Sequence, residues 1–242
     1  MNHNTKSNYN QEVESNGYAI INDVFSNEET QSFIYEIEQI SDSLNKTFRK
    51  SKDLFAIRQF LKEVPTINKI LFNDALKNIL GQLLGNDYFV VKSIYFDKPE
   101  QSNWFVSYHQ DLTISVDKKL ECSGFNNWTI KQNQFSVQPT EKILENIFTI
   151  RIHLDDTDEK NGALRIIPKS HANGIVRLDS FDFNEAEEQI AKVKKGGIMI
   201  MKPLLFHASN KTINNEKRRV IHVEFSNLDL PEGISWSEKI NI

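Results

Sequence analysis

Apolar and polar side chains alternate most regularly in residues 147–155. A strand there would carry Phe148, Ile150, Ile152 and Leu154 on one side, and Thr149, Arg151 and His153 on the other. Four more segments are short, rich in β-branched or aromatic residues and bounded by turn residues: 87–96, 163–168, 198–201 and 218–225. Many short strands separated by turns predict a β-sandwich or a β-barrel.

Helical patterns precede most of these strands. After a short β-rich segment over 17–25, Ser26 begins a capping box that Glu29 completes, which predicts the start of a helix. The apolar residues that follow at helical spacing are Phe33, Ile34, Ile37 and Ile40. Residues 74–84 repeat this amphipathic pattern, and Gly85 suits the end of that helix. The order of elements predicts a β core with helices packed against it.

The length of 242 residues suits a single domain. We expect this domain to span residues 1–242, with a flexible polar tail over 1–16, a mostly helical flank over 17–86 and a β core over 87–226. Residues 120–140 contain Gly, Asn and Pro and show no regular period, which predicts a long loop within the core.

The composition excludes several classes of function. A formal net charge of −4 provides no basic surface for nucleic acid. Cys122 is the single cysteine, so no disulfide can form within the chain, as is usual in a reducing compartment. The sequence has no apolar run that could cross a membrane, and its polar start lacks the apolar centre of a signal peptide. We therefore expect a cytoplasmic protein without nucleic-acid or membrane partners, and the oligomeric state stays open.

His109 and Asp111 are the first candidate metal ligands. Residues two apart in a strand point to the same side, so both side chains can reach one ion. With His207, which follows an apolar run, they offer two imidazoles and a carboxylate to one face of a ferrous ion. A His-x-Asp pattern alone occurs by chance, and His153 is a rival ligand. The spacing from His207 to Arg218 favours His207 as the third ligand.

Arg218 lies eleven residues beyond His207, at the start of the next predicted strand. A guanidinium group binds a carboxylate through two parallel hydrogen bonds. Arg218 therefore suits a co-substrate that is chelated to the metal at one end and carries a free carboxylate at the other. Ser209 can add a hydroxyl donor to the same carboxylate.

Three stretches of the chain resemble the phytanoyl-CoA dioxygenase family of Fe(II)- and 2-oxoglutarate-dependent oxygenases: 96–112, 150–174 and 207–219. The resemblance extends from about Arg58 to Phe225. One departure is Lys169, where the family usually has glycine in a Pro-Gly-Ser-His turn.

The resemblance implies a mainly β fold, a jelly-roll or double-stranded β-helix core with flanking helices. It implies Fe(II) held by His109, Asp111 and His207, 2-oxoglutarate bound through Arg218 and Ser209, and O2 as the second co-substrate. The implied reaction converts 2-oxoglutarate to succinate and CO2 and hydroxylates a small molecule. The carboxylate of Asp111 favours hydroxylation, because related halogenases lack it.

The candidate substrate residues are Arg58, Gln110, Trp128, Arg151 and His153. Arg151 and His153 share the polar side of their strand, which faces the barrel interior if the apolar side packs on helices. Because a buried guanidinium needs an anion, Arg151 binds the substrate, 2-oxoglutarate or a protein carboxylate. Arg58 is either a solvated helix residue or a charge at the pocket mouth. Trp128 is either a lid over the substrate or a hydrophobic plug.

The resemblance implies hydroxylation of an unactivated C–H bond, and the inward Arg151 predicts that the substrate is a small polar, anionic metabolite. Two alternatives stay open. One is a cupin-like metalloenzyme that does not use 2-oxoglutarate, and the other is a catalytically silent binding module of the same fold.

Overall fold

The computed structural model describes residues 9–40, 48–50, 55–85, 87–100, 102, 104–131, 134–183 and 186–242. The α-helices within them are α1 (Tyr9–Asn16), α2 (Asn27–Glu38), α3 (Phe60–Glu63), α4 (Asn68–Leu71), α5 (Asp74–Leu84) and α6 (Glu141–Glu145). Short 3-10 turns cover Pro65–Ile67, Ser170–Asn173 and Leu178–Ser180. The strands are β1 (Tyr18–Ile21), β2 (Phe48–Lys50), β3 (Phe55–Arg58), β4 (Phe89–Lys98), β5 (Val106–His109), β6 (Ile114–Val116), β7 (Asn126–Lys131), β8 (Gln134–Gln138), β9 (Phe148–His153), β10 (Leu164–Ile166), β11 (Gln189–Ala191), β12 (Ile198–Met201), β13 (His207–Ser209), β14 (Arg218–Ser226) and β15 (Ile240–Asn241).

Two antiparallel sheets form the core. The larger one has the strand order β1-β12-β9-β14-β4-β3-β2, and β15 also pairs with β4. The smaller one has the order β11-β10-β13-β5, and a third sheet, β6-β8-β7, extends the fold. Strands of both core sheets line one cavity between them. This is the arrangement of a jelly roll, and it confirms the predicted fold class.

The outer side of the large sheet packs against the helices, as the alternation in β9 predicts. Its buried apolar residues share one cluster with those of α2 and α5, including Ile150, Ile152, Ile221, Val223, Phe33, Ile37, Leu76 and Leu80. Since neighbouring residues of a strand point to opposite sides, Arg151 and His153 face the interior between the two sheets. Both are less than 10% exposed.

Helix α2 begins at the capping box that the sequence predicts. The amide N–H of Glu29 donates to Ser26 Oγ at 3.1 Å, and the amide N–H of Ser26 donates to Glu29 Oε2 at 2.7 Å. Asn73 caps α5 in a similar way, because its Oδ1 accepts from the amide N–H of Leu76 at 2.8 Å. These bonds satisfy N–H groups that the first turn of a helix leaves without partners.

The start of the chain differs from the flexible tail expected over 1–16. Residues Tyr9–Asn16 form α1, and Val13, at 1% exposure, packs into the main core. A single buried side chain in a polar segment of eight residues gives no apolar stripe, so the pattern did not reveal this helix. Residues 1–8 lie outside the described residues.

Two internal segments also differ from the expectation. Within 120–140, strands β7 and β8 form a hairpin rather than a long loop. Phe55–Arg58 form β3 rather than a helix, because pairing with β4 supplies their backbone hydrogen bonds. The flank over 17–86 is therefore helical with three strands added to the edges of the large sheet.

Lys169 occupies a left-handed backbone conformation, with φ +69° and ψ −8°. A side chain in this region costs about 1–2 kcal/mol, and the greater freedom of glycine in the unfolded chain offsets part of the gain from removing it. Lys169→Gly is therefore expected to raise the free energy of unfolding by about 0.5–1 kcal/mol in urea titrations. Lys169→Ala keeps the Cβ atom and should give no such gain. Equal stabilisation by both variants would show that the backbone at this position is not strained.

Candidate functional site

Three side chains named from the sequence meet at one end of the small sheet. His109 ends β5 and pairs directly with His207 at the start of β13. Asp111 lies just beyond β5, and its amide N–H donates to Pro203 O at 2.8 Å. Nε2 of His109 is 3.8 Å from Asp111 Oδ1, and Nε2 of His207 is 3.7 Å from Asp111 Oδ2. Candidate ligand atoms of all three residues lie within 4.8 Å of one another.

The two imidazole rings are held in the orientation that metal binding requires. Nδ1 of His109 lies 2.9 Å from Ser107 O, and Nδ1 of His207 lies 2.9 Å from Leu205 O. A carbonyl oxygen only accepts, so each Nδ1 carries the proton and each Nε2 keeps a free lone pair toward the other residues of the triad. Two imidazoles and a carboxylate with an open opposite face are the donor set that suits non-haem Fe(II).

The charge states also suit a metal. Burial, outweighing the nearby Asp111, lowers the pKa of His207 to about 4, so this ring is neutral at neutral pH. Burial raises the pKa of Asp111, but His207, His222, Lys92 and His109 together bring it below its usual range. A neutral imidazole and an ionised carboxylate are the forms that ligate metals.

A cavity of about 170 Å³ extends from the triad into the space between the sheets. At one end it is lined by Arg218 and Ser209, which are 3% and 2% exposed. Nε and Nη1 of Arg218 have no hydrogen-bond partner among the described residues. Burial and the charge of Arg151 lower the pKa of Arg218 to about 9, which still leaves it charged at neutral pH. A buried cation with free donors is suited to a carboxylate.

Further along β14, the cavity is lined by a hydrogen-bonded chain that includes Arg151. Its Nη1 lies 3.1 Å from Nδ1 of His222, and Nε2 of His222 lies 3.0 Å from Glu224 Oε1. Lys92 donates to the same Glu224 oxygen at 2.8 Å. Because Arg151 can only donate, His222 accepts at Nδ1 and donates from Nε2. Among the described residues Arg151 therefore contacts an imidazole and forms no ion pair with a carboxylate, and its Nε has no partner there.

The other candidate substrate residues lie elsewhere. His153 is buried, its Nδ1 is 2.8 Å from Thr157 Oγ1, and it is not part of the metal cluster. Arg58 is half-buried on β3, where it pairs with Ile94 of β4. It is not among the described residues that line the cavity. Trp128 lies on β7 and packs against a separate apolar cluster, which supports its interpretation as a plug.

The side-chain amide of Gln110 forms hydrogen bonds with the backbone around it. Its Nε2 donates to Gly174 O and to Leu204 O, both at 2.8 Å, and its Oε1 accepts from the amide N–H of Val176 at 3.0 Å. With these bonds its amide holds together the loops that flank the triad. The structure thus gives Gln110 a positioning role rather than a place in the cavity described above.

The candidate site residues predicted from the sequence did not include His222, Glu224 or Lys92. The available signal was parity: His222 and Glu224 lie four and six residues after Arg218 in β14, so they share its side of the strand. Lys92 pairs with Glu224 across β4 and β14. Three of the four inward positions, 218, 222 and 224, carry polar residues and Val220 occupies the fourth, which indicates a polar cavity on that side of the strand.

A sequence model of the phytanoyl-CoA dioxygenase (PhyH) family matches residues 13–220. The chain belongs to the phytanoyl-CoA dioxygenase family. It is therefore a 2-oxoglutarate-dependent oxygenase, and the family's use of Fe(II), 2-oxoglutarate and O2 confirms the cofactors expected from the sequence. No helix in the described part of the chain is long and apolar enough to cross a membrane.

Relatives of this family member cover most of its length. Phytanoyl-CoA dioxygenase 1 from Oryza sativa subsp. japonica is 23% identical over 228 residues, which are 89% of this chain and 71% of that protein. The alpha-ketoglutarate-dependent carbocyclase SnoK from nogalamycin biosynthesis superposes with a TM-score of 0.70 at 16% identity, covering 93% of this chain and 85% of SnoK. EctD from S. alaskensis, solved with 2-oxoglutarate and 5-hydroxyectoine, gives a TM-score of 0.69 at 15% identity over 91% of this chain and 75% of EctD. The likeness to these structures is one of fold.

Proposed function

We propose that this family member hydroxylates an unactivated C–H bond in a small, polar, anionic metabolite, using Fe(II), 2-oxoglutarate and O2. His109, Asp111 and His207 would hold Fe(II), and Arg218 with Ser209 would hold the distal carboxylate of 2-oxoglutarate. Bound together, the metal and 2-oxoglutarate supply the oxidation of the C–H bond, with release of succinate and CO2. The protein's side chains bind and orient the reactants and exclude water.

The observation that carries the substrate proposal is the second buried arginine. Arg218 accounts for the free carboxylate of the co-substrate, whereas Arg151, beside the triad, retains a buried Nε without a partner in the described residues. Burial lowers the pKa of Arg151 to about 10, against the opposing field of Asp111, so it remains charged at neutral pH. A buried guanidinium that has no carboxylate partner among the described residues supports an anionic group on the substrate.

The charge balance of the cavity supports the same class of substrate. Its lining has three cations, Lys92, Arg151 and Arg218, and two carboxylates, Asp111 and Glu224. Fe(II) and the 2-oxoglutarate dianion add no net charge, so one positive charge is left for the substrate to balance. A cavity of about 170 Å³ is also small beside the roughly 300–1,000 Å³ of pockets for drug-sized ligands, which supports a small metabolite.

A substrate screen tests this proposal. Fe(II)-loaded protein is incubated with 2-oxoglutarate, O2 and a panel of small carboxylic, amino and phosphorylated acids, and products are read by mass spectrometry. We expect succinate in equal amount to a product that has gained one oxygen atom. Metal binding without succinate would favour a metalloenzyme that does not use 2-oxoglutarate. Absence of metal binding would favour a catalytically silent binding module.

Arg151→Leu is expected to raise KM for the anionic substrate found in that screen by about thirtyfold or more, since losing one partner of a desolvated charge pair costs roughly 2–5 kcal/mol. Turnover of 2-oxoglutarate without substrate should change little. Arg219→Leu is the matched control, because Arg219 faces the other side of β14 and is paired with Asp155 at 2.6 Å. If Arg151→Leu instead loses 2-oxoglutarate binding, Arg151 belongs to the co-substrate.

A further inference from the structure

Lys98 is a second buried cation beside Arg218. It ends β4 and pairs directly with Arg218 across β14. Opposite residues in antiparallel strands have Cβ atoms about 4.5–5.5 Å apart and point to the same side of the sheet. Ile94 and Phe96, at alternate positions of the same strand, line the cavity. Lys98 is 0% exposed, so its side chain is buried on the same side of the sheet as Arg218.

Apart from Arg218, the described groups around the ammonium of Lys98 are neutral. Its Nζ donates to the carbonyl oxygen of Asn210, just after Ser209, and lies 5.7 Å from the ring centroid of Trp104. The turn at Gly162 closes over it, since a Cβ atom there would lie 2.8 Å from Nζ. Arg218 is the residue of β14 that faces Lys98, whereas Asp97, which precedes Lys98 in β4, points to the opposite side of the sheet.

Two adjacent buried cations without a carboxylate between them are unfavourable until an anion arrives. Burial, and then the charge of Arg218, lower the pKa of Lys98 to about 7. Near and above neutral pH the free protein can relieve the repulsion by releasing a proton from Lys98. A carboxylate docked on Arg218 would reverse this preference, because a nearby negative charge favours the ammonium form.

We propose that Lys98 takes up a proton from solvent when the distal carboxylate of 2-oxoglutarate binds, and so makes co-substrate affinity dependent on pH. The inference rests on the proposed role of Arg218 in the proposed function. The direction in which 2-oxoglutarate affinity changes with pH follows from thermodynamic linkage. Binding raises the pKa of Lys98, so uptake occurs from about pH 7 up to the raised value, and affinity falls across that window by at most about tenfold per pH unit. Below about pH 6 Lys98 is already charged, and affinity should not vary through this residue.

Anaerobic calorimetry on the Fe(II)-loaded protein measures the proton uptake that accompanies 2-oxoglutarate binding. 2-Oxoglutarate is titrated at pH 6 and pH 8 in pairs of buffers with low and high ionisation enthalpy, and the difference in heat gives the protons taken up. We expect more than about half a proton per site at pH 8 and close to none at pH 6. Lys98→Met should lose most of the uptake at pH 8 and bind 2-oxoglutarate about tenfold more weakly at pH 6.

Lys202→Met is the matched control, because Lys202 also lies over an aromatic ring, 3.7 Å from the centroid of Phe148, but outside the cavity. It should keep the wild-type uptake. Undiminished uptake in a folded Lys98→Met variant overturns the inference and leaves the proposed function intact. If Lys98→Met does not fold, the wild-type protein still decides, because affinity that is constant from pH 6 to pH 9 also overturns it. Failure of the wild-type protein to bind 2-oxoglutarate at any pH would instead refute the proposed function.

Discussion

His207→Ala is expected to abolish turnover of 2-oxoglutarate and to reduce Fe(II) affinity by well over about 100-fold. Removing a partner that only orients a ligand already costs 10–100-fold, and this change removes a ligand itself. It leaves Nε2 of His109 and the carboxylate of Asp111, 3.8 Å apart, as two of the three donors. Metal content after dialysis and succinate release are the measurements.

His171→Ala is the control for this variant. His171 is a histidine of the neighbouring turn, and its Nε2 lies 3.1 Å from Glu14 O, away from the triad. We expect this variant to retain metal and turnover. Wild-type metal content in His207→Ala would move the site elsewhere, and the buried His153 would become the next candidate.

Arg218→Ala should raise KM for 2-oxoglutarate by about thirtyfold or more and change KM for the substrate far less. The reason is that a desolvated charge pair loses one partner, at a cost of roughly 2–5 kcal/mol. Initial rates of succinate formation at varied 2-oxoglutarate give the value.

The adjacent Arg219 provides a stringent comparison for Arg218. Its Nη2 is 2.6 Å from Asp155 Oδ1 on the outer side of the sheet, so Arg219→Ala should leave the KM for 2-oxoglutarate near the wild-type value. A larger effect at Arg219 than at Arg218 would mean that the inward side of β14 is assigned one residue out of register. No effect at either position would argue against 2-oxoglutarate as the ligand of this cavity.

Local rules were enough to predict the elements with strong periodicity. The alternation in β9 correctly assigned Arg151 and His153 to the interior, and the capping box correctly gave the start of α2. The triad could be proposed because its residues lie at strand ends whose spacing limits where the side chains can point. The assignments in β9 and α2 need only the geometry of one element at a time, whereas the triad combines two strands and was also implied by the resemblance to a known family.

The partners of Arg151 could not be predicted in this way. His222 faces Arg151 because β14 and β9 pair in one register, and Lys92 meets Glu224 because β4 pairs with β14 on its other edge. Register between strands far apart in sequence is set by tertiary packing. One of the two interpretations of Arg58 placed it in a helix for a related reason: β3 is a strand because it pairs with β4, and no local pattern predicts that pairing.

The hydrogen bonds between Gln110 and the surrounding backbone affect how much the protein must be ordered when the metal binds. One side chain between two candidate ligands joins the loops at Gly174, Val176 and Leu204, and Asp111 is bonded to Pro203. Hydrogen bonds between protein groups therefore join the two chain segments that carry the triad. Metal binding does not have to order these loops, so little of the binding free energy is lost to ordering the chain. We therefore expect the surrounding backbone to keep its conformation when the metal is removed and restored.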